Sequence, residues 1–310
     1  MRIVFFGTPD IALPSLYLLN NKHDVTAVVC QPDKPVGRKK TPHAPPVKAW
    51  AEENGIPVQQ PTKLNDGTFE AWLRNENPDV CVLVAYGRIL KQPILEVPRL
   101  GFVNLHPSLL PKHRGPSPIH TAVLNGDTET GVTIMQLDAG TDTGDILLQK
   151  SMPLPPEATT LEMAMELATL GAEMVMETLE QVEDGTAVHV KQDGSLVTHT
   201  RMFTKQDGAI NWNQPAEVIH NQIRASIPWP VAYCTYDDQP MRIHGATIAQ
   251  EVVQALPGTI IRIEDEALIV ATGKHAVSIG SIQAPGKKVV AVADYQRGNP
   301  FQPGDKFEDG

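Results

Sequence analysis

No pair of cysteines in the sequence has the spacing of a metal knuckle or a disulfide framework. Cys30, Cys81 and Cys234 are odd in number and far apart, with no CxxC and no Cys/His cluster. That argues against structural zinc and against a stapled secreted fold, and it fits a reducing cytoplasm. No window approaches the ~18 uninterrupted apolar residues of a membrane span. The N-terminal MRIVFFG is a short apolar strand, not a charged region leading into an apolar targeting segment. A soluble chain without a membrane partner is expected. Excess positive charge is missing too: 26 Lys+Arg stand against 36 Asp+Glu, a formal net charge of −10. Such a chain does not coat nucleic acid through general basicity, and any contact of that kind must be local. The first strand ends in FFGTPD, with one glycine in place of GxGxxG, and GxxxxGK[ST], HExxH and GxSxG do not occur. Dinucleotide, NTPase, zinc-protease and serine-hydrolase readings are thereby set aside, which leaves acid/base or electrostatic chemistry.

What the sequence does contain is room for two domains in 310 residues. Apolar runs of strand length recur with helical patterns between them: RIVFFG (2–7), DVTAVVC (24–30), DVCVLVAYG (79–87) and GFVNLH (101–106). Runs that are apolar on both faces and spaced by helices predict a Rossmann-like, mostly parallel α/β sheet. TGVTIMQLDAGTDTGDILLQK (130–150) reads as two β segments around a Gly/Thr/Asp turn. A long helix follows, with Thr159 and Glu162 as a capping box and Gly185 at its end. Its Met163, Met165, Met174 and Met176 are assigned to ordinary core packing. Periodicity is then lost, so a catalytic domain over 1–189 and a linker over 190–206 are expected. Residues 207–310 carry short strands separated by turns, which predict a small OB-like antiparallel β-barrel.

In a doubly wound sheet, ligands bind at the carboxyl ends of the strands. There GFVNLHPSLLPKHRGPSPIH (101–120) places Asn104 and His106 two residues apart, on one face of a strand as it reaches the crevice. An amide beside an imidazole can hydrogen-bond an oxyanion forming at a carbonyl, and the imidazole can exchange a proton near neutral pH. Taken alone, the pair is weak evidence, and a structural histidine at a strand end describes it better. Asp142, between Gly140 and Gly144, is a carboxylate able to orient that imidazole, or a turn aspartate bonding its own backbone. QPDKPVGRKKTPHAPPVK (31–48) sets Lys34, Arg38, Lys39, Lys40 and Lys48 against Asp33. This is either a solvated loop or a phosphate cradle on the rim of the same site.

NLHPSLLPKHRG followed by GVTIMQLDAGTDTGDIL, with Asp142 36 residues after His106, resembles the folate-dependent formyltransferases. The likeness runs through IVFFGTPDIALPSL, QPDKPVGRKK, VLVAYGRIL, PWP and QAPGKKVV, nearly the whole chain. It implies the formyltransferase fold followed by an OB-like tRNA-binding domain over 207–310, and catalysis by Asn104, His106 and Asp142. It further implies 10-formyltetrahydrofolate as the formyl donor, tetrahydrofolate as product and no metal. The donor is expected beside Ser108, Leu109, Leu110 and Pro111, with its pterin near Val84, Tyr86, Gly87 and Asp138. Within the family, the length and the basic loop suit members whose acceptor is methionine on initiator tRNA. Lys34, Arg38, Lys39 and Lys40 would then reach toward the tRNA, with the protein a cytoplasmic monomer. The alternative acceptor is a small-molecule amine, a sugar nucleotide or glycinamide ribonucleotide. Three features depart from the family pattern. RGPSPIH stands where the family carries RGAAPIQ, Lys91 replaces a common proline, and residues 206–310 hold 8 Lys+Arg against 12 Asp+Glu, a net of −4.

Overall fold

The computed structural model describes residues 1–36, 41–250 and 253–310. Residues 1–118, 129–153 and 164–201 form one compact unit, and residues 119–128, 154–163 and 202–310 form a second.

The first unit opens with β1 (Arg2–Gly7), α1 (Leu13–Lys22), β2 (Asp24–Val29) and a small hairpin of β3 (Lys34–Val36) and β4 (Thr41–His43). It continues through α2 (Pro46–Glu53), β5 (Val58–Gln59), α3 (Thr68–Glu76), β6 (Val80–Val84), α4 (Gln92–Leu95) and β7 (Phe102–His106). After α5 (Pro118–Asn125), which belongs to the second unit from residue 119, come β8 (Glu129–Gln136), β9 (Ile146–Pro153) and the long α6 (Thr160–Glu183), which belongs to the first unit from residue 164. The sheet order is β5-β2-β1-β6-β7-β8-β9, with the first five strands parallel and the last two antiparallel. The order reverses at β1, so a crevice opens beyond the carboxyl ends of β1 and β6.

Burial on both faces explains the unbroken apolar runs: Ile3, Val4, Phe5 and Phe6 are all fully buried. Phe6 meets Phe69, Tyr86 and Phe102 edge-on, with centroids 6.1, 5.4 and 5.2 Å apart. Rings of this size contribute about 1.5–3 kcal/mol each when buried. Strand β7 is backed by α6 at Gly171, where a Cβ would collide with Leu105, the residue between Asn104 and His106. Glycine lets the helix lie directly against the strand that carries the candidate site.

Helix α6 starts with the expected capping box: Thr159 N donates to Glu162 Oε2 at 2.8 Å and Glu162 N donates to Thr159 Oγ1 at 3.3 Å. Met163, Met174 and Met176 are buried, but Met165 is 65% exposed, which corrects its assignment to the core. Two residues on from Met163, it lies on the opposite side of the helix. The expected linker over 190–206 also differs. Residues 190–201 belong to the first unit, where Val190 and Ile146 exchange two 2.9 Å bonds, Arg114 N donates to Thr198 O (2.9 Å) and Thr200 N donates to Arg114 O (2.7 Å). Pairing of this kind uses backbone alone, so it leaves no periodicity in the side chains.

The second unit holds α7 (Ala216–Ala225), β10 (Ala232–Tyr236), β11 (Gln239–Ala249), β12 (Ile260–Ile263), β13 (Leu268–Ala271), β14 (Ala276–Gln283), β15 (Val290–Ala291) and α8 (Val292–Gln296). Its strands form an antiparallel sheet in the order β10-β11-β14-β13-β12, with β15 beside β14. The chain end crosses between the two edges of this sheet, bridging Thr235 to Glu308 and Thr259 to Lys306. Phe301 and Phe307 thereby enter a core shared with Trp212, Ile243, Leu268 and Val270. Residues 154–163 join this unit through α7: Arg224 Nη1 donates to Ala158 O, Thr160 Oγ1 donates to Ala225 O, and His220 Nε2 lies 3.0 Å from Glu157 Oε2. Among the described residues, no helix is long and apolar enough to cross a membrane.

Candidate active site

Strand β7 pairs with β6 on one side and β8 on the other, aligning Asn104 with Leu83 and Met135, and His106 with Thr133. The alternation of the strand puts Asn104 and His106 on one face, and each is only 5% exposed. Buried polar groups at this depth have to be hydrogen-bonded or kept for a ligand.

The orientation of His106 is chemically determined. Its Nε2 lies 3.1 Å from the carbonyl oxygen of His113. A carbonyl only accepts, so Nε2 carries a proton and Nδ1 is the nitrogen that titrates. Nδ1 faces Asp142 Oδ2 at 3.7 Å. Burial pulls the imidazole below its ordinary value of 6.5, while the Asp142 carboxylate and the His113 carbonyl act against that pull. The free protein therefore rests with His106 neutral at neutral pH, able to take up a proton at Nδ1.

Both partners of His106 sit on left-handed backbone, His113 at φ 61° and Asp142 at φ 53°. Residues other than glycine adopt this conformation at a cost and are held there by their surroundings. Gly115 N, at a φ of 116° that glycine tolerates, donates to Asp142 Oδ2 at 2.7 Å. Gln192 Nε2 donates to Asp142 O at 2.9 Å and to Gly144 O at 2.7 Å. Gln192 Oε1 accepts from Arg114 Nε (3.0 Å) and Nη2 (2.7 Å), and Thr198 Oγ1 accepts from His113 N at 2.8 Å. Sequence reasoning missed Gln192 and Thr198, because they lie in the stretch without periodicity.

The 108–111 segment is similarly fastened. Thr133 Oγ1 donates to Ser108 O (2.7 Å) and accepts from Leu110 N (3.1 Å) and Gln149 Nε2 (2.7 Å); Gln149 Nε2 also reaches Leu110 O (2.9 Å). Thr133 carried a signal that went unused, a fully buried polar residue in an apolar strand. Ser108 Oγ donates to Lys112 O at 2.7 Å. Ser108, Leu110 and Pro111 are buried and Leu109 partly so. At the end of β6 and just past it, Val84 and Tyr86 are 1% and 0% exposed. Their side chains face the core, so a ligand at this loop meets backbone and not the Tyr86 ring. Burial raises the Tyr86 phenol to about 12, and its carbonyl accepts from Thr8 Oγ1 (3.1 Å) and Gln31 Nε2 (3.0 Å). The loops after β1, β2 and β6 are thus sewn together, with Gly87 exposed at their surface. Asp138 Oδ1 accepts from Gly140 N (3.0 Å) and Thr143 Oγ1 (2.6 Å), so its carboxylate shapes the 138–143 turn.

Of the basic residues expected to face tRNA, Lys34 is exposed on β3; Arg38, Lys39 and Lys40 lie outside the described residues. Lys48 is engaged elsewhere: its Nζ is 2.9 Å from both Asp33 carboxylate oxygens and 3.0 Å from Gln60 Oε1. It braces the start of the basic loop. Among the described residues, no three His, Cys, Asp or Glu side chains are grouped to hold a metal ion.

Residues 1–179 match the family described as formyl transferase. The chain belongs to this family. Residues 202–300 match the formyl transferase C-terminal domain. The methionyl-tRNA formyltransferase of Moorella thermoacetica is 43% identical over 306 residues, covering 98% of this chain and 98% of the relative. That of Synechococcus sp. is 44% identical over 319 residues, covering 99% of this chain and 98% of its own length. Among solved structures, the N-formyltransferase of Helicobacter canadensis, in complex with folinic acid and dTDP-3-aminofucose, aligns with a TM-score of 0.68 at 21% identity. It covers 92% of this chain and 99% of its own. HypX of Aquifex aeolicus, in complex with tetrahydrofolic acid, aligns with a TM-score of 0.67 at 19% identity, covering 99% of this chain and 50% of its own. At these identities the structures establish the fold; the family's expected two-part architecture, a mostly parallel sheet followed by an antiparallel one, is the one described above.

Proposed function

We propose that the protein transfers the formyl group of 10-formyltetrahydrofolate to the α-amino group of methionine on the initiator tRNA, giving N-formylmethionyl-tRNA for translation initiation. The observation that carries this reading is the approach of Asp142 to His106 Nδ1 at 3.7 Å, with Asn104 on the same face of β7, in a chain 43% identical over 98% of its length to a methionyl-tRNA formyltransferase. The donor is assigned to the 84–87, 108–111 and 138–142 segments. With Val84, Tyr86 and Leu110 turned inward, the groups offered there are backbone N–H and C=O, which suit the edge of a pterin.

In this mechanism the methionyl amine attacks the formyl carbon, a new N–C bond forms and the bond to folate N10 breaks. The Asn104 amide stabilises the negative charge that develops on the formyl oxygen. Neutral His106 accepts the amine proton at Nδ1, becomes an imidazolium backed by Asp142, and its proton returns to the departing nitrogen. Imidazolium formation adds a second donor beside Asn104 as charge builds. Lys34, Arg38, Lys39 and Lys40 are assigned to the tRNA phosphates, and the working form is a cytoplasmic monomer.

The test supplies 10-formyltetrahydrofolate, labelled in the formyl group, with initiator methionyl-tRNA, glycinamide ribonucleotide and a nucleotide-linked amino sugar in parallel. Label is expected on the tRNA; label confined to a small-molecule amine would overturn the acceptor while leaving formyl transfer standing. Arg38→Ala with Lys40→Ala is expected to weaken tRNA use and flatten its salt dependence without changing donor affinity.

A further inference from the structure

Arg114, Gln192, Asp142 and Gly115 form a closed ring. The Arg114 guanidinium donates twice to Gln192 Oε1, Gln192 Nε2 donates to the carbonyl of Asp142, the Asp142 carboxylate accepts from Gly115 N, and Gly115 follows Arg114 in the chain. The chemistry of the ring fixes which way the Gln192 amide points. A guanidinium offers only donors, so the oxygen must face it; the carbonyls of Asp142 and Gly144 only accept, so the nitrogen must face them. Glutamate would keep the first contact and lose the second, lysine the reverse. Glutamine meets both requirements at once.

The Asp142 carboxylate faces His106 from a left-handed turn that has no regular secondary structure to hold it. Its main chain is tied by Gln192 and its side chain by Gly115, both from segments far away in sequence. We propose that Gln192 is a positioning residue for the reaction, holding the 142–144 turn so that Asp142 stays opposed to His106 Nδ1. This rests on the assignment of His106 and Asp142 to proton transfer. The Arg114 guanidinium acts through Gln192, setting the direction of its amide.

Two variants of the full chain test it. Gln192→Met keeps the volume and removes both polar ends; Gln192→Glu keeps the Arg114 contact and removes the donor. Both are expected to lose between ~10-fold and ~100-fold in kcat, the scale on which small misplacements act, with KM for the donor unchanged. In Gln192→Met the His106 ring, followed by NMR in the free protein, is expected to titrate at lower pH, because the charge that opposes its burial is no longer held close. Asp193→Ala, which disturbs the same segment by removing the 2.9 Å bond its Oδ1 accepts from Ser195 N without touching the turn or His113, is expected to lower the thermal midpoint and leave kcat intact. Unchanged kcat and unchanged His106 titration would overturn the proposal. So would an Asp193→Ala loss of kcat as large as that of Gln192→Glu, or failure of both Gln192 variants to fold. The His106 titration does not depend on formyl transfer, so it separates failure of this proposal from failure of the catalytic reading.

Discussion

In the first unit, Asn104, His106, Ser108 and Thr133 lie at 5% exposure or less around the carboxyl end of β7. In the second, the interior is a continuous apolar cluster from Ile210 and Trp212 to Phe301 and Phe307, and the chain end closes it across the two sheet edges. Besides its own apolar cluster, the first unit buries polar groups at the end of a parallel strand and holds them with hydrogen bonds from loops. The sheet of the second encloses an apolar interior. Substitutions among those polar groups of the first should therefore change rates with small effects on folding, and substitutions in the apolar cluster of the second should do the opposite.

The sharpest way to break that comparison is at its two centres. His106→Ala is expected to lower kcat by about 10²–10⁴-fold, and Asn104→Ala by about 10²–10³-fold, with thermal midpoints close to that of the parent; single-turnover formyl transfer and calorimetry measure the two sides. Phe307→Ala should cost about 3–5 kcal/mol through the cavity it leaves, read as a lower denaturant midpoint, while kcat of the folded protein stays near its parent value. Equal losses of rate and stability in either unit would erase the distinction.

A smaller effect is expected from pH. Burial holds the His106 imidazole below 6.5 in the folded protein. The stability linked to its neutral form is then present above the unfolded value and is lost as pH falls through the folded one. The acid limb of kcat/KM should accordingly lie below 6.5, and Asp142→Asn should move it lower still, since the carboxylate acts against the effect of burial. A limb above 6.5 would show that Asp142 outweighs burial. Least of all is expected at Met165, where the exposed side chain should cost no more than about 0.5 kcal/mol on truncation to alanine, against about 2–5 kcal/mol for Met163→Ala on the same helix.

Much of this was legible in the sequence because it depends on local pattern. Unbroken apolar runs marked β1, β2, β6 and β7, the Thr159/Glu162 spacing marked the start of α6, and the two-residue spacing of Asn104 and His106 put them on one face. Met165 was misassigned because composition was read there without the rotation of the helix. Tyr86 looked available to a ligand because nothing local shows that its ring is the one packed on Phe6.

The sequence by itself determined the two-part architecture, the family and the candidates Asn104, His106 and Asp142, since periodicity and motif spacing are properties of the chain. Tertiary structure alone decided which nitrogen of His106 titrates, through a carbonyl seven residues away, and which groups hold Asp142 opposite it. It also turned a featureless segment over 190–201 into the strap that fastens the loop after β7. The physical reason is that backbone carbonyls and amides recognise one another without regard to side chain, so contacts made through them leave no mark in the order of residues.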